Sequence, residues 1–318
     1  MVNRTMRGYN NIISMEMRKK KMGVWQQVRE KFIMKNARED WTTYRDRLTD
    51  LIGELVTEGA SENIAIVGAG RCSDIDLARL VELKQRVFLL DVDEDAMQEA
   101  VRSLEKDLQK SVECRGLTLT GISDADMDEF CEGMLFFVRN TGGNISIDSL
   151  RRELDSRLDL LEKKLFRDDA GSVDLPEAKR LRDDEGWRSL PSVDVLVCCG
   201  VYSQLFSMLS FFTRSLLFSL KDVLPEAGTL EDEISKRIRI MDDRIIPAIN
   251  RRLYEAAGKA VVFGNEYMED RPVEGAYQCI RDVREQYNPE ERHLTWEFNR
   301  AEGITYDMLI QICRIGKT

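Results

Sequence analysis

The stretch that decides the fold is "IAIVGAGRCSDIDL", Ile64 to Leu77. Four apolar residues run into Gly68, Gly70 follows two positions on, and polar residues then open a helix. A strand that turns sharply into a helix reads this way. The missing side chains let a ligand approach the backbone, and the first turn of the helix leaves N–H groups free. No Gly-Lys-Ser/Thr follows, so a Walker phosphate loop is excluded. Two kinds of parallel sheet remain, and both place an acid at the tip of the next strand to hold ribose hydroxyls. Asp91 stands there, about twenty residues downstream.

Outward from this turn, apolar runs and helical spacings alternate. Strands are expected at Asn63–Val67, Arg86–Leu90, Leu117–Ile122, Val193–Cys198 and Lys259–Phe263, with helices over Asp74–Lys84 and Glu94–Leu108. "RHLTWEFNRAEGITYDMLIQICRI" reads as two long strands joined around Glu302-Gly303. The expected fold class is α/β: a doubly wound, mostly parallel seven-stranded sheet ending in an antiparallel C-terminal hairpin. Before it, Trp41, Tyr44, Leu48, Leu51, Ile52 and Leu55 recur at helical spacing, so Trp25–Glu58 reads as one or two N-terminal helices. The expected division is a helical segment, 1–58, and a domain, 59–318.

About seventy residues separate the third and fourth strands, more than one crossover helix needs. A helical insertion between those strands, about 140–190, is expected to fill the gap. Its signature is Ile147, Leu150, Leu154, Leu158, Leu161 and Leu165, three or four apart with charges between them. That helix packs across the domain edge or serves as a lid or a homodimer contact. Asp168 to Pro191, with two glycines and two prolines among many charges, is expected to be a mobile loop.

Composition narrows the function. The 318 residues carry a net charge of −10, which opposes a non-specific nucleic-acid binder. The basic run within residues 1–23 reads as a solvated terminus or a docking site. Seven cysteines without CxxC spacing, and no signal-peptide block, point to cytoplasmic thiols and no metal site. The apolar Val195–Leu220 is interrupted by Gly200, Gln204 and Arg214, so a buried strand-turn-helix is expected and no membrane span. The single histidine, His293, lies in an alternating strand.

Three details bear on the ligand. Ser73 stands where a dinucleotide fingerprint expects glycine or alanine. "VDEDAMQEA" follows Asp91 as an acid-capped helix opening. No Tyr-x-x-x-Lys proton relay is present. With "IVGAGRCSDIDL", "VFLLDVDEDAMQEA", "VDVLVCCGVYSQL" and the terminal pair of strands, the chain resembles the class I, Rossmann-like S-adenosylmethionine-dependent methyltransferases over about residues 60 to 315. It departs from that family at Ile66, where an acid is frequent, and at Cys72, where a third glycine is frequent.

The resemblance implies S-adenosyl-L-methionine as cofactor and a small-molecule acceptor. Gly68, Ala69 and Gly70 would pass the methionine portion and the ribose, Asp91 would accept from the ribose hydroxyls, and Val92 would pack on adenine. Ile122 would meet the ring and Ser123 or Asp124 the adenine amine. Cys199, Gly200 and Val201 would lie by the reacting methyl, with Tyr202 and Gln204 as catalytic or acceptor contacts. Arg71 would reach the ligand carboxylate or a neighbouring acid, and Tyr44 or Arg45 would approach that carboxylate. Asn265, Glu266 and Tyr267 are rim candidates. Asp91 and Asp93 have helix N-capping as the alternative role, and Asp74 and Asp76 read as first-turn carboxylates. The absence of an Asn/Asp-Pro-Pro-Tyr or Pro-Cys pair argues against base methylation in DNA. A nicotinamide-dependent oxidoreductase and a non-catalytic nucleoside-binding protein are the two alternatives.

Overall fold

The computed structural model describes residues 23–58, 60–83, 85–165, 190–269 and 271–316. The expected loop at 168–191 and the basic run before residue 23 lie almost wholly outside the described residues. In chain order the helices are α1 (Val24–Phe32), α2 (Ala37–Asp40), α3 (Thr42–Glu58), α4 (Leu77–Glu82), α5 (Glu94–Arg102) and α6 (Lys106–Gln109). After these come α7 (Asp124–Thr141), α8 (Ile147–Leu165), α9 (Ser207–Ser219), α10 (Leu230–Ala256) and α11 (Ala276–Tyr287). The strands are β1 (Asn63–Val67), β2 (Arg86–Asp91), β3 (Val112–Gly116), β4 (Val193–Cys199), β5 (Ala257–Met268), β6 (Arg271–Pro272), β7 (Glu290–Asn299) and β8 (Ile304–Arg314).

The chain forms two compact units. Among the described residues the larger comprises those within 34–119, 190–204 and 243–316, and the smaller those within 23–33, 120–165 and 205–242. These units cut the N-terminal helices between residues 33 and 34, whereas the sequence reading places its boundary at 58.

The larger unit is built on one sheet, ordered β3-β2-β1-β4-β5-β8-β7, with the two-residue β6 paired to β5. β1 through β5 pair in parallel, and β8 runs antiparallel between β5 and β7. The expected α/β sheet is therefore present, with its antiparallel C-terminal hairpin. β1 and β4 are almost wholly buried because both faces are covered, which is why they read as unbroken apolar runs. α3 lays Tyr44, Leu48, Ile52 and Leu55 into a core shared with Ile64, Ile66, Leu89, Val197, Val262 and Ile310.

The third strand differs from expectation: it is Val112–Gly116, and Leu117–Ile122 is not a strand. "VECRG" is a short edge strand: Val112 and Cys114 pack against the core, while the alternate positions carry the charges Glu113 and Arg115, which an edge tolerates. Glu113 accepts from Arg86 (2.7 Å) and Arg115 (2.7 Å), and both guanidiniums sit 5.0 Å from the centre of the Phe88 ring. Leu117 still donates to the Asp91 carbonyl at 3.0 Å, so the chain leaves the sheet beside the tip of β2.

The smaller unit is helical. Trp25 docks α1 on α7, its backbone N–H donating to Asp128 (2.8 Å) and its indole to Asp124 (3.1 Å). The expected leucine stripe is buried on α8 at Leu150, Leu154, Leu158, Leu161 and Leu165. Arg237 of α10 ties down the polar side of α8 through Asp155 (3.1 Å), Glu162 (2.6 Å) and Asp159. Among the described residues no helix is long and apolar enough to cross a membrane, and Val195–Leu220 divides into β4, a turn and α9.

Candidate functional site

β1 ends in the glycine turn, where Gly68 (φ +70°) and Gly70 (φ +45°) take left-handed backbone conformations. The amides of Gly68 and Ala69 both donate to the carbonyl of Leu90, at 2.8 and 3.3 Å, stitching the turn to the end of β2. Gly70 N–H donates to Asp91 Oδ2 at 2.8 Å, and Asp93 N–H donates to Asp91 Oδ1 at 2.8 Å. The carboxylate is thus held across the mouth of the turn. It does not cap the following helix; Asp93 does, accepting from Ala96 N–H at 3.0 Å. Beside it Val92 is 48% exposed, a bare apolar surface next to a fixed acid.

The loop after β4 closes the other side. A Cβ on Gly68 would stand 2.4 Å from Val201 Cγ2, whereas one on Gly70 would meet nothing nearer than Asp91 Oδ2 at 4.0 Å. Gly200 (φ +66°) donates to the Gly264 carbonyl at 2.9 Å and accepts at its own carbonyl from Gln204 Nε2 at 2.6 Å. Cys199 is buried, and burial pushes its thiol well above the ordinary range.

Tyr202 does not face an opening. It is 1% exposed, packs 6.3 Å from the Phe263 ring, and sets its hydroxyl close to the thiols of Cys198 and Cys279. The chain bends inward there because Gly275 leaves room: a Cβ at 275 would lie 2.3 Å from the Tyr202 carbonyl oxygen. Next to it the half-buried Ser203 donates through Oγ to Glu266 Oε1 at 2.7 Å. Glu266 is buried at the end of β5, its Oε2 has no hydrogen-bond partner among the described residues, and burial raises its pKa.

Aromatic rings complete the group. Tyr44 stacks on Trp296 at 5.1 Å and Trp41 meets Trp296 edge-on at 4.8 Å. The Tyr44 hydroxyl and the Trp296 indole N–H are buried without partners among the described residues. A Cβ at Gly200 would be 3.6 Å from Glu266 Oε1 and 3.7 Å from Trp296 Cη2, so β4, β5 and β7 bring these groups together at one end of the sheet. Buried polar atoms left unmatched are costly, and their clustering at the carboxyl ends of parallel strands marks a place for a polar ligand.

Asp74 belongs to the same neighbourhood. The helix begins only at Leu77, capped by Asp76 through Arg79 N–H (3.2 Å), so Asp74 precedes the helix rather than sitting in its first turn. Burial pushes its carboxyl up to about 6, offset partly by its own backbone N–H and by Arg45. Arg45 donates to the carbonyls of Arg38 (2.7 Å) and Ser73 (3.2 Å). Sequence spacing gave no hint of Asp74 or Trp296 as a pair of site residues; the parity of Trp296 with Leu294 and Phe298 along β7 was the available signal for Trp296 facing inward.

Other expected residues are placed elsewhere. Arg71 pairs with Glu99 at 2.8 Å on an exposed face. Because β3 ends at Gly116, "GISD" does not sit at a strand tip. Ile122 is buried, Ser123 caps α7 in a reciprocal pair with Asp126, and Asp124 binds Trp25 and Arg29 within the smaller unit. A separate open groove is lined by Asp50, Glu54, Arg79 and Glu82 of α3 and α4, and no expected site residue lines it. Among the described residues no cluster of His, Cys, Asp and Glu could hold a metal ion.

No protein-family model matches the sequence, and no curated protein matches it either. Among solved structures, the fold is similar to the N-methyltransferase NodS of Bradyrhizobium japonicum WM9 in complex with S-adenosyl-L-homocysteine. That likeness has 13% identity and a TM-score of 0.40, and covers 92% of this chain and 98% of that one. It is also similar to an O-methyltransferase family protein of Burkholderia thailandensis, at 11% identity and a TM-score of 0.41, covering 99% of this chain and 71% of that one. A SAM dependent methyltransferase from Aquifex aeolicus is 11% identical over 91% of this chain and 98% of that one, with a TM-score of 0.36.

Proposed function

We propose that the chain is a class I S-adenosylmethionine-dependent methyltransferase acting on a small-molecule acceptor. The observation that carries this is the Asp91 carboxylate anchored to Gly70 N–H across the mouth of a left-handed glycine turn, at the point where the sheet order reverses between β1 and β4. The residues present fit that ligand. Bare backbone at Gly70 leaves room for a ribose, and Asp91 presents its carboxylate beside that space to the two hydroxyls. Exposed Val92 offers a face to an adenine, and the unmatched Tyr44, Trp296 and Glu266 atoms offer polar partners beyond it.

The donor, when bound, supplies a methyl already activated by a sulfonium. The protein then has to align the acceptor, exclude water and take a proton where the acceptor has one to lose. Gly200 and Val201 form the wall against which the donor lies. Ser203 and Glu266, joined at 2.7 Å at the end of β4 and β5, are the polar pair offered to an acceptor. Gln204 holds the Gly200 carbonyl in place.

A nicotinamide reading lacks a proton relay: His293 is paired with Asp307 at 2.7 Å on exposed β7, four strands along the sheet from β1. Calorimetry with S-adenosylhomocysteine and with NAD tests the choice. The homocysteine compound is expected to bind and NAD is not; the reverse overturns the proposal. Asp91→Ala should weaken the homocysteine compound about 10- to 150-fold, the loss of about 1.5–3 kcal/mol of charge-assisted hydrogen bonding.

A further inference from the structure

Glu266 is a carboxyl that the larger unit buries without a cation. It stands near the end of β5, opposite Met308 of β8, and is 4% exposed. Its Oε1 accepts from Ser203 Oγ at 2.7 Å, while Oε2 is buried with no hydrogen-bond partner among the described residues. Among those residues no salt bridge reaches it. Ser203 itself is half-buried, so the pair stands at the margin of the core and not at its centre. Across the space above Gly200, the facing wall is an indole. A Cβ at Gly200 would make ordinary contacts with Glu266 Oε1 (3.6 Å) and with Trp296 Cη2 (3.7 Å) and Cζ3 (3.8 Å). Trp296 is also 4% exposed and is fixed by Tyr44 (5.1 Å) and Trp41 (4.8 Å), and its indole N–H is unmatched, so it does not serve the carboxyl.

A buried carboxylate whose one side-chain partner is a hydroxyl is costly. A second hydroxyl would give Oε2 a donor and leave the charge unmatched. An ammonium brings N–H donors and the opposite charge together. We propose that the acceptor is an amine that arrives as an ammonium, and that Glu266 holds its nitrogen. This names the acceptor class for the methyl transfer proposed above and rests on that reading. An ammonium has no lone pair to give, so it must lose a proton before it can act as a nucleophile. The Glu266 carboxylate takes that proton, leaving a neutral amine and a neutral carboxylic acid. Burial raises the Glu266 pKa, which favours transfer in this direction.

Two probes of one shape separate the outcomes. Benzylamine and benzyl alcohol differ in charge at pH 7, and neither presupposes the rest of the acceptor. Calorimetry on the parent, with and without S-adenosylhomocysteine, should show the amine bound about tenfold or more tightly than the alcohol. Glu266→Gln keeps the shape and removes the charge. It should bring the two probes within about threefold of each other and leave affinity for the homocysteine compound within about threefold of the parent. An amine bound no more tightly than the alcohol, or a preference that survives Glu266→Gln, overturns the proposal. A Glu266→Gln chain that also loses the homocysteine compound assigns Glu266 to structure and overturns it too. A parent that binds no S-adenosylhomocysteine overturns the donor reading instead, and the amine arm, read without that compound, still decides whether Glu266 holds a cation.

Discussion

Gly68→Ala is the perturbation that the glycine turn answers most directly. The new Cβ would stand 2.4 Å from Val201 Cγ2, more than an ångström inside ordinary contact, on a residue held at φ +70°. Val201 has little freedom to retreat, because the flanking Gly200 N–H is fixed to Gly264 (2.9 Å) and the Val201 carbonyl accepts from Gln204 N–H (2.9 Å). Left-handed backbone costs about 1 kcal/mol for alanine, and overpacking adds about 1–3 kcal/mol. The single variant should therefore lose about 2–4 kcal/mol. Val201→Ala, at a half-buried position, should lose about 1 kcal/mol or less. In the double variant the steric part disappears while the backbone part stays, giving a favourable coupling of about 1–3 kcal/mol. Urea unfolding of the four proteins measures this. A coupling indistinguishable from zero would show that Val201 does not lie over the turn in solution, and the wall assigned to the donor would be lost.

Four further outcomes follow from named contacts. Asp91→Ala should lose affinity for S-adenosylhomocysteine as above and also melt lower, since two N–H donors, Gly70 and Asp93, lose their acceptor; calorimetry and thermal melts read the two effects separately. The Asp74 carboxyl, near 6 in the folded chain against 3.8 ordinarily, keeps its proton between about pH 4 and 6 when the unfolded chain has released it. Stability should therefore fall as pH rises through that window, by up to about 3 kcal/mol, and denaturant midpoints at pH 4 and 7 should show this fall flattened in Asp74→Asn. Tyr202→Phe should leave affinity for the homocysteine compound unchanged in calorimetry, because the hydroxyl points to Cys198 and Cys279 rather than outward. Arg237→Ala removes the cation that holds Asp155, Asp159 and Glu162 together and should cost about 1–3 kcal/mol, less at high salt, by urea unfolding.

Much of this was legible in the sequence. β1, β2 and β4 announce themselves as apolar runs because they are buried on both faces, and the β7–β8 pair because its turn carries Gly303 in the left-handed region (φ +68°). Asp91 was legible for a local reason: glycine turn and strand tip are fixed by adjacent parallel strands. Asp93 as a helix cap and the α8 leucine stripe follow from local periodicity in the same way. The misses share a different cause. β3 is a five-residue edge strand with only Val112 and Cys114 turned to the core, so the more apolar Leu117–Ile122 drew the assignment to the wrong six residues. Tyr202 looked available because the sequence cannot show that Gly275, far along the chain, makes room for it. The Tyr44–Trp296 stack joins residues from the first and last thirds of the chain, which no local pattern reveals.

The order of the sheet also constrains how the chain can be made. β8 occupies the place between β5 and β7, yet it leaves the ribosome after both. Until then the apolar centre of β5, Val261 to Phe263, has an open edge towards the side where Gln311 to Cys313 will pair. That edge is a template for any neighbouring nascent strand. During synthesis β5 is therefore open to mispairing until β8 has emerged.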